Sequence, residues 1–286
     1  MRFFILGTTA IFVLEACIAF YLNNFYIKDT GDYSVVKVPS TVVKHAPLRK
    51  ISIGSRATRL SASHDGSYLA YLQGGLLVLA DFATGQKINV PHVSSMKISD
   101  YKWIYDRDRL IITEIKTGGY PYYGKMYYID MKDRKLVEIR DNYYNRDVKI
   151  ALYGSGDTVS DLDMSAETNL TFLKVTYGSG KSKLWESNIM VSTNPLNKAV
   201  TKSIGRIACL KMSETLFYEN LYNGMVYRYG SNTPIKIGGN TQFKLMGVDQ
   251  NDNIYLAKMN GRMTGCVYYG NPLKRIWKSE IGRAHV

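Results

Sequence analysis

From Ala57 onward, short apolar runs alternate with small polar clusters that contain glycine. ATRLSASHDGSYLAYLQGGLLVLADFATGQKINV, residues 57 to 90, divides into ATRLSA, a turn at His64-Asp65-Gly66 and YLAYL. A second turn at Gln73-Gly74-Gly75 leads to LLVLA, and Thr84-Gly85 leads to KINV. Such runs, cut by Asp-Gly and Gly-Gly, predict strands joined by tight hairpins, because those residues accept positive φ.

Four short strands and three turns in about forty residues describe one propeller blade. The pattern recurs. ISDYKWIYDRDRLIITEI, GKMYYIDM and KLVEIR form a second unit, with turns at Asp106-Arg107-Asp108 and Met131-Lys132-Asp133. DLDMSAETNLTFLKVTYGSGKSKLWESNIMV forms a third, and IACLKMSETLFYENLYNGMVYRYGSNTPIKI a fourth, with Asn223-Gly224 as its middle hairpin. KLMGVDQNDNIYLAKMNGRMTGCVYYGNPLKRIW forms a fifth. First turns fall near 65, 107, 167, 214 and 251; the long second step contains residues 141 to 158, which read as an inserted loop. The expected fold is all-β: a β-propeller of four-stranded blades over residues 50–279, about five of them visible in an incomplete array.

One stretch imitates a nucleotide site. VTYGSGKS carries Gly180-Lys181-Ser182, but a phosphate loop needs Gly five positions earlier, where Val175 stands, and a helix afterwards, where KLWESNIMV reads as strand. It is predicted to be the middle hairpin of the third unit.

SASHDGSYLAY, Ser61 to Tyr71, resembles the S-P-D-G-x-x-I-A-F core of the WD-like repeats of TolB-type proteins, with His64 in the place of Pro. The same repeats build the propeller of dipeptidyl peptidase IV-like serine peptidases. The resemblance is specific in the first unit; in the others only strand pattern and turn position survive. It implies a propeller and, by itself, no peptidase activity.

Ahead of the repeats, Phe3 to Leu22 is apolar except for two Thr and Glu15. Its length matches a bilayer core, and Arg2 precedes it. Residues 1–22 are expected to be a signal-anchor transmembrane helix, N-terminus cytoplasmic, with the propeller extracytoplasmic. The membrane is therefore an expected partner through residues 3–22. Residues 23–49 are expected to be a stalk, in which Tyr33 to Val43 can supply a ring-closing strand. A rival reading takes Leu14-Glu15-Ala16-Cys17 as a lipoprotein box, acylated at Cys17. At the other end EIGRAHV, Glu280 to Val286, can be back-translated to common sequencing-adapter sequence. This reads as an artefact of read-through, with the natural chain continuing elsewhere after Ser279.

The net charge of +13 is spread along the chain without a recognition-helix pattern, which argues against nucleic acid and leaves anionic polymers and protein partners. No G-x-S-x-G elbow, metal-ligand spacing or cofactor motif occurs, so no catalytic, metal or cofactor residues are expected. Outside the anchor only Cys209 and Cys266 remain, expected to be buried thiols. Asp161 and Asp163 alternate along a strand and read as structural.

The unusual loops are Tyr120-Pro121-Tyr122-Tyr123 and Tyr143-Tyr144, with Lys116, Lys125 and Arg146 nearby. Tyrosine offers a flat apolar face with a polar tip, suited to a protein, a glycan or an anionic wall polymer. The alternative is that Tyr127 and Tyr128 are strand residues packing between blades and that the loop tyrosines merely cover edges. Two wider alternatives also stand: the propeller of a serine peptidase whose hydrolase domain is missing, and a TolB-like envelope lipoprotein.

Overall fold

The computed structural model describes Glu15 and residues 50 to 280, apart from 94, 142–145, 189–191, 197–202, 261–262 and 275. The chain divides into two compact units, Met1–Ala46 and Pro47–Val286. The expected anchor (except Glu15), Cys17 and the expected closing strand lie outside the described residues. Among the described residues no helix is long and apolar enough to cross a membrane.

The second unit is built from successive antiparallel sheets. The first blade comprises β1 (Thr58–Ala62), β2 (Tyr68–Gln73), β3 (Leu76–Asp81) and β4 (Lys87–Asn89). The second comprises β5 (Met96–Trp103), β6 (Arg109–Lys116), β7 (Tyr123–Asp130) and β8 (Leu136–Glu138). A ribbon of β9 (Arg140–Asp141) and β10 (Arg146–Asp147) follows, then β11 (Ile150–Ala151). The third blade holds β12 (Thr158–Ser165), β13 (Leu170–Thr176), β14 (Ser182–Asn188) and β15 (Ser192–Pro195). The fourth holds β16 (Ile204–Cys209), β17 (Leu216–Asn220) and β18 (Met225–Arg228). The fifth holds β19 (Lys244–Val248), β20 (Ile254–Asn260), β21 (Met263–Asn271) and β22 (Ile276–Glu280). It is a five-bladed β-propeller.

The expected turns form. Gly74 and Gly75, at φ 62° and 83°, make the two-residue hairpin between β2 and β3, a backbone that L side chains resist. The Tyr177–Lys181 segment closes β13 onto β14 through Tyr177 N–H to Lys181 C=O, 2.8 Å. The phosphate-loop lookalike is a turn. Asp81, Asp130 and Asn271, each ending the third strand of its blade, accept backbone N–H groups two residues on at 2.8, 3.0 and 3.0 Å. This Asx turn starts the last hairpin of three blades.

Two expectations change. The 141–158 insertion is not a plain loop: β11 pairs with the start of β7, Ile150 opposite Gly124, beside the place where β8 pairs with its end. The outer row of the second blade is thus filled in two pieces. In the fourth blade the expected strand PIKI forms only isolated pairs, Tyr227 opposite Pro234 and Ile235 N–H to Val226 C=O at 2.8 Å. Pro234 has no N–H to give a ladder, and the Gly238-Gly239 turn follows at once.

The core is a series of apolar layers between blades. Ala70, Leu77 and Leu79 of the first blade meet Leu110, Ile112 and Trp103 of the second. Ile111, on the other face of β6, joins Leu162, Leu173 and Val175 of the third. Leu110, Ile111 and Ile112 are consecutive and all fully buried, because successive side chains point to opposite faces and both faces are covered. Similar layers join blades three to four and four to five.

The first strand of every blade carries a β-bulge in its pairing with the second. The register shifts between Thr58 and Ser61, Ile98 and Asp100, Val159 and Asp161, Ile204 and Ile207, and Leu245 and Gly247. A bulge re-aims the side chains beside it and sharpens the local twist. At four of the five it turns a polar residue toward the next blade: Arg59 to Asp100, Ser99 to Val159 C=O, Asp161 to Ile207 N–H and Arg206 to Met246 C=O.

Candidate functional site

In antiparallel blades, the turn after the second strand leaves the same end as the connection into the next blade. Residues 117–122, 177–181 and 221–224 therefore share one end with the 148–157 connection. Among the described residues the most exposed tyrosines, Tyr120 at 88%, Tyr153 at 72% and Tyr222 at 93%, all lie there.

Around the second and third blades this end is continuous. Leu152 N–H donates to Tyr122 C=O at 3.4 Å, which lays the 148–157 connection along the tyrosine loop. Tyr120 meets Tyr122 edge-on, centroids 6.4 Å apart. The Tyr122 ring packs on the core. The ring of Tyr123 is bracketed by two ammonium groups, Lys149 at 5.2 Å and Lys116 at 5.7 Å, within reach for a cation–π attraction. Tyr153 leans on Tyr177 with centroids 5.4 Å apart. Asp157 fixes that contact: it accepts N–H groups of Tyr153 at 2.7 Å, Gly154 at 3.0 Å and Gly178 at 2.9 Å.

Of the residues singled out by sequence, Tyr120, Tyr122 and Tyr123 come together. Lys125 donates to Glu138 at 2.5 Å and to Asp147 at 3.2 Å. Burial lowers its pKa, but those two acceptors outweigh burial and raise it. Its charge is engaged within the blade. Tyr143 and Tyr144 lie outside the described residues; the backbone of Arg146 pairs with Asp141 in the β9–β10 ribbon, and its side chain lies outside them. Sequence reasoning missed Lys149, Tyr153 and Tyr177. The local signal of Lys149 and Tyr153 was aromatic and basic content in an insertion, Tyr177 stood in a predicted hairpin, and the approach of Lys149 to Tyr123 depends on β11 docking on β7.

The inner strands carry a second constellation, of ion pairs. Arg59, at φ 57° in the β1 bulge, pairs with Asp100 of β5 and donates to Ser160 C=O at 3.3 Å. Tyr101 and Trp103 reach back to β1 and β2: Trp103 Nε1 donates to Ser61 C=O at 3.0 Å and Tyr101 OH to Ala70 C=O at 3.0 Å. Asp161 and Asp163 of β12 accept the N–H groups of Ile207 and Cys209 in β16 at 3.0 and 2.8 Å. Asp163 also faces Lys211 at 2.7 Å and Lys102 at 3.5 Å. Burial raises the Asp163 pKa, yet the two lysines and the Cys209 N–H hold it at about 2. Burial pushes Asp100 up to about 6 against the pull of Arg59. These charges satisfy one another and tie blade to blade, the structural role expected for Asp161 and Asp163.

No catalytic arrangement emerges from these groups. Cys209 is buried, and burial, aided by Asp163, pushes its thiol pKa up, which leaves it an inert thiol. Cys266 is half-buried rather than buried, and no disulfide joins the two. Among the described residues no group of three or more His, Cys, Asp or Glu is placed to hold a metal.

No protein-family model and no curated protein matches the chain. Its likeness to solved structures is one of fold. An acylaminoacyl peptidase of Pyrococcus horikoshii matches 79% of this chain at 11% identity and TM-score 0.51, and the match spans 39% of that protein. A chain of a nidogen/laminin complex matches 78% of this chain and 79% of its own length at 8% identity and TM-score 0.50. An oligogalacturonate lyase in complex with manganese matches 79% of this chain and 65% of its own, at 12% identity and TM-score 0.50.

Proposed function

We propose that this chain is a non-catalytic binding and scaffolding module: a propeller held to a membrane by residues 1–22, with its blades on the extracytoplasmic side. Its working surface is the end that carries Tyr120, Tyr123 and Tyr153, and its partner is an anionic cell-wall polymer. The observation that carries this reading is Tyr123 bracketed by Lys116 and Lys149, between two exposed tyrosines at the same end. Aromatic faces take apolar backbone, the ammonium groups take phosphate or carboxylate, and the net charge of +13 steers a polyanion inward.

The test is co-sedimentation of the full chain in detergent with poly(glycerol phosphate), at about 50 and about 300 mM NaCl. Binding is expected to weaken with salt, and to fall about tenfold when Lys116→Ala and Lys149→Ala are combined, as two charge contacts are removed. Binding that ignores salt, or that survives the double substitution, sinks the reading. So does capture of a protein partner whose binding the double substitution does not touch.

A further inference from the structure

The fourth blade bears a cleft of about 480 Å³ between its β17–β18 pair and the turns at either end. Tyr218, Tyr222 and Tyr227 form its walls, with Asn220, Asn223, Asn232 and two serines. Among the described residues no charged side chain lines it. The two neighbouring clefts do carry charge: Arg228 and Lys236 in one, Glu219, Lys244 and Lys258 in the other.

Two of these walls are held in place. Tyr218 and Tyr227 sit opposite each other in the ladder, and their rings stack with centroids 5.7 Å apart and planes 20° apart. The Asn223 side chain donates to Tyr227 OH at 2.9 Å and accepts Met225 N–H at 3.1 Å. Asn220, itself buried, accepts the Tyr222 N–H at 3.0 Å and sets the hairpin that projects Tyr222 into solvent. Fixed aromatic faces surrounded by amides and hydroxyls lose little entropy on binding.

We infer that this cleft binds a neutral oligosaccharide. A pyranose ring offers a C–H face, which an aromatic ring covers, and a rim of hydroxyls, which amide and hydroxyl side chains can both donate to and accept from. The volume falls within the range of ligand sites. The described lining offers a polyanion no counter-charge and a peptide no aliphatic pocket for an anchoring side chain. The cleft belongs to the fourth blade and shares no lining residue with the Tyr123 surface, although Tyr222 lies at the same end, so the two can fail separately.

The experiment is calorimetric titration of the full chain in detergent with maltohexaose, cellohexaose and chitohexaose, at about 50 and about 500 mM NaCl. At least one probe is expected to bind with Kd below about 1 mM, unchanged within about twofold between the two salts. Tyr222→Ala, at a fully exposed ring, should weaken it about tenfold or more without moving the thermal midpoint. Asn223→Ala should weaken it as well, and the Lys116→Ala, Lys149→Ala pair should leave it as it is. Failure of all three probes, a loss of affinity with salt, or wild-type binding by Tyr222→Ala overturns the inference.

Discussion

Lys211 Nζ lies 2.7 Å from Asp163 Oδ1, and the two side chains are 8% and 2% exposed. The carboxylate belongs to the third blade and the ammonium follows the first strand of the fourth. Lys102, from the second blade, stands 3.5 Å from the same oxygen. One buried carboxylate therefore ties three consecutive blades. Removing one partner of such a pair costs about 3–5 kcal/mol, because the other charge is left buried and unpaired. Asp163→Asn should lower the stability measured by urea unfolding by that amount. Adding Lys211→Met should restore part of it, since the orphaned charge goes with it. A double variant no more stable than Asp163→Asn would show that the pair is not what the site depends on.

Asp100 and Asp163 give opposite pH dependences. Asp100 has a folded pKa of about 6 against an ordinary 3.8, so between those values the folded state binds more protons and stability falls as pH rises. Asp163, at about 2 against 3.8, contributes stability above its ordinary value that is lost as pH falls through that window. Asp161 and Glu114 are also raised, chiefly by burial, and slope the same way as Asp100. Thermal midpoints should therefore peak near pH 4 and decline towards pH 6. Asp100→Asn, a neutral isostere of the acid form that Asp100 holds below about pH 6, should make little difference at pH 4 and flatten the decline. An unchanged slope in that variant would remove Asp100 from this account.

What the sequence shows is local, and so is what it hides. His64-Asp65-Gly66, Gly74-Gly75 and Asn223-Gly224 mark their turns through backbone preferences that need no other part of the chain. Asp65 illustrates this: burial raises its pKa, yet hydrogen bonds from Ser67 and Ser63 within the turn hold it at about 2. The strands between are legible for the same reason, as apolar runs of strand length. The bulges are not legible, because a one-residue register shift leaves the apolar pattern almost unchanged. The pairing of Asp163 with Lys211, 48 positions away, exists only once neighbouring blades pack. The same holds for Lys149 over Tyr123. Tyr120, Tyr123 and Lys116 were visible as an unusual cluster, whereas the second cation that faces Tyr123, Lys149, lies across the β11–β7 pairing.

Glu114 is fully buried in β6, and neither carboxylate oxygen has a hydrogen bond of normal geometry. Burial raises its pKa, and the nearby Val93 N–H and His92 pull it back only in part. A buried, poorly paired carboxylate is a cost that a neutral isostere relieves. Glu114→Gln should raise the unfolding midpoint at pH 7 and make little difference at pH 4, where the native acid is already protonated. A loss of stability at pH 7 would mean that the charge has a partner that matters.

Asp157 is the joint on which the candidate surface depends. Its two oxygens accept three backbone N–H groups, two from the 153–157 turn and one from the hairpin of the third blade. Hydrogen bonds to a charged acceptor contribute about 1.5–3 kcal/mol each at most, and less where the donor can turn to water, as at the exposed Tyr153 and Gly178. Asp157→Ala should lower stability by about 2 kcal/mol and raise amide exchange at Gly154 and Gly178, while Ile111 and Leu173 in the layer beneath stay protected. Freed from the hairpin, Tyr153 no longer stacks on Tyr177, so affinity for poly(glycerol phosphate) should fall although no lysine is altered. Asp157→Asn keeps one acceptor oxygen and should lie between the two. If exchange at Gly178 rises while polymer binding is untouched, Tyr153 is outside the binding surface and the surface narrows to Tyr120, Tyr123 and their lysines.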